Sequence, residues 1–186
     1  MKATTRIIAL VTGLVLCHGA FAADWKVEDG SQIGFVATYD RIPFQAWFKS
    51  FDAHIRFSPD RLDDSSFDVR IATSSLDSDS PDRDEGMKQP AWFAVDKYPE
   101  ARFQATHFES VAENRYRAMG TLTLKGVSKN VDVLFAWEPQ PGGKVWLNAN
   151  ARLERGDFDI GTGEWAHDDT IGFDVGVNAS LKLAPR

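Results

Sequence analysis

The chain has 186 residues, with 21 Lys and Arg against 27 Asp and Glu and a formal net charge of −6 at pH 7. That length suits a single domain with its own core, and 43% hydrophobic residues argue against disorder. The acidic sign, with no basic tract, excludes nucleic acid and anionic membrane surfaces as natural partners.

Lys2 and Arg6 give a short positive start, Ile7 to Leu16 an apolar stretch, and Ala20-Phe21-Ala22 the small residues of a cleavage site. Residues 1–22 are expected to be a secretory signal peptide. The apolar run is too short to stay behind as a membrane anchor. Residues 23–186 then form one exported, periplasmic domain. Cys17, the only cysteine, falls inside the leader, so the remainder has no disulfide, no thiolate nucleophile and no Cys metal site.

Beyond the leader, apolar residues recur at every second position, the period of a strand with one buried face. In chain order the sets are Ile33, Phe35, Ala37; then Phe51, Ala53, Ile55, Phe57; then Phe67, Val69, Ile71. Ala101, Phe103 and Ala105 follow, then Tyr116, Ala118, Gly120, Leu122 and Leu124. Val131, Val133, Phe135 and Trp137 come next, then Val145, Leu147, Ala149, Ala151 and Leu153. Ile171, Phe173, Val175, Val177, Ala179, Leu181 and Leu183 close the series. Lys125-Gly126 reads as a tight hairpin, with Gly126 free to take positive φ. Between the strands, Ser80 with Pro81, Asp82, Asp84 and Glu85 predicts one short helix, N-capped by Ser80 and stopped or kinked at Pro90.

Eight or nine strands and one helix leave two architectures, a closed antiparallel barrel or a two-sheet sandwich. Small inward residues such as Ala37, Ala53, Ala105, Ala118 and Gly120 hint at a cavity in the first. In the second they would let the sheets approach.

Catalytic and metal signatures are sparse. His54, His107 and His167 lack a partner at zinc spacing. By parity His54 faces solvent, and His107, following Phe103 and Ala105, faces inward as a polar group available to an enzyme acting on an apolar substrate. Asp77, Asp79, Asp82, Asp84 and Glu85 resemble a calcium loop only in density, because Pro81 breaks the pattern. No nucleophile elbow, P-loop or dinucleotide fingerprint occurs. Arg155-Gly156-Asp157-Phe158-Asp159-Ile160-Gly161 suggests an arginine pairing an acid at a barrel end, or rimming a pocket mouth. Six Trp and 13 Phe remain, as core or as lining of an apolar cavity.

The ordered segments resemble the YceI-like family of exported proteins. They include Trp25, Ser31-Gln32-Ile33-Gly34-Phe35, Phe48-Lys49-Ser50-Phe51 through Ser58-Pro59, and Ser75-Leu76-Asp77. Trp92-Phe93, Tyr98 to Phe103, Gly120-Thr121-Leu122-Thr123-Leu124-Lys125-Gly126-Val127-Ser128-Lys129 and the Arg155 motif follow. The resemblance implies a lipocalin-like closed antiparallel barrel. It also implies non-covalent, non-catalytic binding of a long isoprenoid lipid, polyprenol-type or isoprenoid quinone, with no covalent cofactor and no metal. Thr38-Tyr39 occupies the place where many relatives carry a histidine, so no role passes to it. The chain further resembles a subgroup found with membrane b-type cytochromes, which opens an accessory role beside such a cytochrome as an alternative; a homodimer is also open. The lining residues expected are Phe35, Phe48, Phe51, Trp92, Phe93, Phe103, Leu122 and Phe135.

Overall fold

The computed structural model describes residues 22–186, so the expected leader lies outside the described residues except for Ala22. Eleven strands are described: β1 (Ala23–Val27), β2 (Gln32–Tyr39), β3 (Ile42–Phe48), β4 (Phe51–Phe57), β5 (Ser66–Ala72), β6 (Leu76–Asp77), β7 (Glu100–Ala112), β8 (Arg115–Leu124), β9 (Val127–Pro139), β10 (Val145–Glu154) and β11 (Asp174–Pro185). All pair antiparallel. Eight of them, in the order β1-β4-β5-β7-β8-β9-β10-β11, return to β1 and close a lipocalin-like barrel.

The seam is shared. β11 pairs with β1 through Leu183–Pro185 and with β2 through Gly176–Ser180. At one end, here the lower, β1 closes the ring onto β4, with Trp25 opposite Ile55. At the upper end the wall continues through β2, β3 and the short β6. β1, β3 and β6 lie outside the eight alternating sets of the sequence. β1 and β6 are too short to show a period, whereas Phe44, Ala46 and Phe48 of β3 do alternate.

The Lys125-Gly126 turn is the expected two-residue hairpin. Leu124 pairs with Val127, and both turn residues have positive φ, 49° and 78°. One α-helix is described, α1 (Pro81–Lys88), with Pro81 in its first turn and Gln89 ending it before Pro90. Ser80 precedes it but its side chain makes no capping bond.

The barrel interior has two unlike halves. The lower is packed solid around Phe57, which is fully buried. Its ring lies 4.6 Å from that of Trp137, 5.0 Å from Tyr116, 5.2 Å from Phe135, 5.7 Å from Phe108 and 6.1 Å from Phe67. Such tilted and edge-on pairs each add about 0.5–1.5 kcal/mol to simple burial. Ala53, Ala105 and Ala118 face this cluster. Of the small residues expected to leave volume, these instead admit rings from the opposite wall.

β7 departs from strict alternation. A bulge between Ala105 and His107 turns Phe108 inward and leaves His107 exposed. The inward His107 expected from parity is therefore corrected.

An apolar cavity and its arginine-tied roof

The upper half of the barrel encloses a cavity of about 510 Å³. Cavities that hold small molecules typically span about 300–1,000 Å³. Alternation on β2 and β3 sends Phe35 and Ala37, and Phe44 and Phe48, into it. The Phe35 ring stands 6.3 Å from Phe44, 5.9 Å from Phe48 and 6.2 Å from Phe93, and Phe48 meets Phe93 edge-on at 6.1 Å. Tilted and edge-on contacts of this kind fix the rings against one another. Met87 from α1, Leu122 and Leu124 from β8, and Val175 and Val177 from β11 complete the apolar lining.

Phe35, Phe48, Trp92, Phe93 and Leu122 line the cavity wall. Phe51, Phe103 and Phe135 do not. Phe135 is a buried member of the lower aromatic cluster, and Phe51 and Phe103 pack against that cluster. Parity gives the face of a strand but not the height along the barrel, and height removes Phe135 from the lining; Phe51 and Phe103 stand level with the lining residues Ile71 and Leu122, their cross-strand partners. Phe44, Leu153, Phe158 and Ile160 also line the cavity and were missed. Phe44 was within reach of the sequence, two residues before Ala46 and four before Phe48.

Polar lining residues are few: Tyr39, Ser80, Asp82, Arg83 and Arg155. Arg83 of α1 lies over the Phe44 ring at 4.5 Å. Its Nε donates to Ser78 Oγ at 2.8 Å and its Nη2 to the Ser78 carbonyl at 2.6 Å. Among the described residues no three His, Cys, Asp or Glu side chains converge on a metal-binding geometry. Three of the acids beside α1 are engaged: Asp77 pairs with Lys49, Glu85 with Lys88, and Asp84 accepts from Ser78 N and Oγ.

Arg155 builds the roof. It is 4% exposed and follows β10 in a 3-10 turn, Arg155–Phe158. Nε donates to Gly172 O at 3.1 Å, Nη1 to Ile160 O at 2.9 Å and Gly161 O at 3.1 Å. Nη2 reaches Trp165 O and His167 O at 2.8 Å and Ile171 O at 2.9 Å. The expected acid partner is replaced by six backbone carbonyls, which a rigid fork of five N–H donors can gather where a lysine cannot. Burial pushes the guanidinium down from its ordinary value, with Asp168 opposing, yet arginine stays charged. Gly161 has φ +76°, and a Cβ there would run into the guanidinium. Lys125 adds a second tie, its Nζ donating to Ala91 O at 3.2 Å and Asp159 O at 2.6 Å. The mouth carries Trp92 and Trp165, 5.7 Å apart.

Comparison with known proteins agrees with this geometry. A UPF0312 protein of Pseudomonas putida (strain W619) is 31% identical over 188 residues, covering 95% of this chain and 96% of that protein. The crystal structure of BcnA from Burkholderia cenocepacia superposes with a TM-score of 0.81 at 25% identity, covering 84% of this chain and 99% of that one. A polyisoprenoid binding domain from Saccharophagus degradans, implicated in plant cell wall breakdown, shares the fold at a TM-score of 0.69 and 14% identity, covering 90% and 100%. Residues 25–183 match the YceI-like domain, and with a closed barrel of the same kind the chain belongs to the YceI-like family.

Proposed function

We propose that this protein binds the prenyl chain of an isoprenoid lipid, a polyprenol or an isoprenoid quinone, in the upper barrel without chemical change. The cavity of about 510 Å³, lined mostly by apolar side chains, carries this reading. A prenyl tail offers almost only CH, CH₂ and CH₃ groups, and each CH₂ removed from water contributes about 0.8 kcal/mol. Ordering a flexible chain opposes that gain, and walls braced in advance reduce the opposition. Nothing in such binding needs a reactive group. The Saccharophagus degradans domain of the same fold is described as polyisoprenoid binding, which makes this ligand class the first to test.

The reading includes export: residues 1–22 are removed and the barrel works in the periplasm, between membranes that hold such lipids. Organic extraction of the natively purified protein, followed by mass spectrometry, tests the ligand. A stoichiometric prenyl lipid is the expected result; protein that carries none and takes up none from added polyprenol or quinone overturns the proposal. N-terminal sequencing of the exported protein, expected to begin at Ala23, tests the leader.

A further inference from the structure

The apolar inner face of β2 and β3 does not stop at the rim of the cavity. On β3 the inward positions run outward through Phe48, Ala46, Phe44 and Ile42, and on β2 through Phe35, Ala37 and Tyr39. Phe44 is half-buried on the cavity wall. Ile42, one inward position further out and paired with Tyr39, is 68% exposed, more than any other large hydrophobic side chain among the described residues. Tyr39 lines the cavity and is itself 47% exposed. The lining face therefore continues into solvent at the mouth.

This tip is held in place. Asp40 and Arg41, between Tyr39 and Ile42, both take positive φ, 48° and 64°, which makes a two-residue turn with the twist of the strands it joins. Asp40 N donates to Thr170 O at 2.7 Å, Gly172 N donates to Thr38 O at 3.2 Å, and Tyr39 bridges to Ile171. The hairpin is thus tied to the loop that Arg155 gathers. Trp92 and Trp165 stand at the same mouth, and Phe173, next to Gly172, is 37% exposed. Aromatic rings with a polar edge favour the boundary between water and hydrocarbon. The charges at this end are mostly acidic: Asp40, Asp82, Glu164, Asp168 and Asp169 outnumber Arg41 and Arg83.

What covers the tip follows from what the cavity holds. A prenyl lipid is driven out of water and resides in bilayers, and the exposed tip is continuous with its cavity. A protein partner or a second copy needs about 800 Å² of matching surface per side, and a few side chains around an open mouth offer far less. A bilayer needs no matching surface. The acidic surroundings repel anionic lipids.

We propose that the Tyr39–Ile42 hairpin tip is a docking surface for a bilayer of zwitterionic lipids, and that prenyl chains pass between membrane and cavity at that contact instead of through water. This rests on the isoprenoid reading above. One isoleucine entering hydrocarbon strengthens the contact about tenfold or more, enough to prolong a collision and little enough to release the protein afterwards.

The experiment follows undecaprenol leaving the loaded, exported chain for phosphatidylcholine vesicles. The rate should rise in proportion to vesicle concentration. Ile42→Ser should slow it about tenfold and leave the amount loaded at equilibrium unchanged, with near-UV circular dichroism to verify the fold. A rate indifferent to vesicle concentration, or an Ile42→Ser protein that transfers at the parent rate, overturns the docking surface. A measurement without ligand stands beside it. The only cysteine lies in the expected leader, so Ile42→Cys and, in the β7–β8 turn at the opposite end, Glu113→Cys each place one nitrobenzoxadiazole label on the exported chain. Emission from position 42 should shift to the blue on the vesicles and emission from 113 should not. Equal responses, no response at 42, or a shift at 42 driven by protein concentration alone, the sign of a second copy, overturn the proposal. Phosphatidylglycerol in the vesicles should weaken the shift at 42; a stronger shift would mean that Arg41 recruits anionic lipid and overturns the zwitterionic assignment. If the parent protein loads no undecaprenol, the isoprenoid reading fails, and the label at 42 still decides the bilayer contact.

Discussion

Arg155 Nη2 donates to the carbonyl of Ile171, 2.9 Å away and sixteen residues on, and so fastens the start of the 155–173 loop to its end. The same guanidinium collects the carbonyls of Trp165 and His167 between them. Its faces meet Phe173 at 4.9 Å and Trp92 at 5.7 Å. One side chain therefore positions several contributors to the cavity roof. Charged hydrogen bonds contribute about 1.5–3 kcal/mol each, and buried carbonyls left without partners carry the desolvation penalty.

Arg155→Lys should therefore destabilise the fold by about 3 kcal/mol or more despite keeping the charge. An ammonium has three donors and no planar fork. Denaturant unfolding gives the loss. Amide exchange should accelerate across residues 156–173 before it does in β7 and β8. Exchange rates there that match the parent protein would show that the loop is held by something else.

Leu122 and Ala118 lie four residues apart on one face of β8 but in different halves of the barrel. Leu122 lines the cavity, while Ala118 is fully buried against the Phe57 cluster. Leu122→Trp has space to enter, so it should lower prenyl-lipid content about tenfold or more with the melting temperature nearly kept. Ala118→Trp has none; overpacking of this size costs about 1–3 kcal/mol or more, and poor folding is the expected phenotype. Lipid content by mass spectrometry, set beside thermal unfolding, separates the two. A Leu122→Trp protein with undiminished lipid would place the ligand elsewhere.

Much of the architecture is legible in the sequence, because a two-residue period survives wherever one sheet face is buried. The main strands, the Lys125-Gly126 hairpin and the helix at Pro81 all follow from local rules. What fails depends on distant partners. His107 is misjudged because a bulge at Ala105 is set by pairing with β8, not by β7's own residues. Phe135 and Leu122 read alike in sequence, and only the closed ring puts one in the plug and the other on the wall. Arg155 reads as half of an ion pair because its true partners are backbone carbonyls, which every residue carries.

Phe57 should be the costliest single side chain in the lower barrel. Phe→Ala changes in cores cost about 3–5 kcal/mol, and here five rings lose a neighbour at once. The substitution also opens volume beneath the cavity floor. Where the protein still folds, Phe57→Ala should keep prenyl binding and shift preference toward longer chains, measured by competition between farnesol and undecaprenol. Loss of all binding in a folded variant would mean that the plug shapes the cavity as well as closing it.

Asp68 and Arg102 provide the pH test. They form a two-pronged pair between β5 and β7, with Nε to Oδ1 at 2.8 Å and Nη2 to Oδ2 at 2.7 Å. The hydrogen bonds from Arg102 hold the Asp68 carboxyl below the ordinary carboxylate range, against partial desolvation, with Arg102 and Arg70 charges helping. The unfolded chain therefore takes up a proton on Asp68 at a higher pH than the folded one does. Stability from the pair is complete above about pH 4 and is lost as the pH falls through the folded-state value. Both side chains keep about a third of their surface in water (29% and 33%), so screening limits the contribution to about 1 kcal/mol. Asp68→Asn should lower the melting temperature by a constant amount from neutral pH down to about 5, and by a shrinking amount below about 4. Added salt should narrow the gap at neutral pH. A difference that persists unchanged into strong acid would mean that shape, not charge, is what Asp68 supplies at this site.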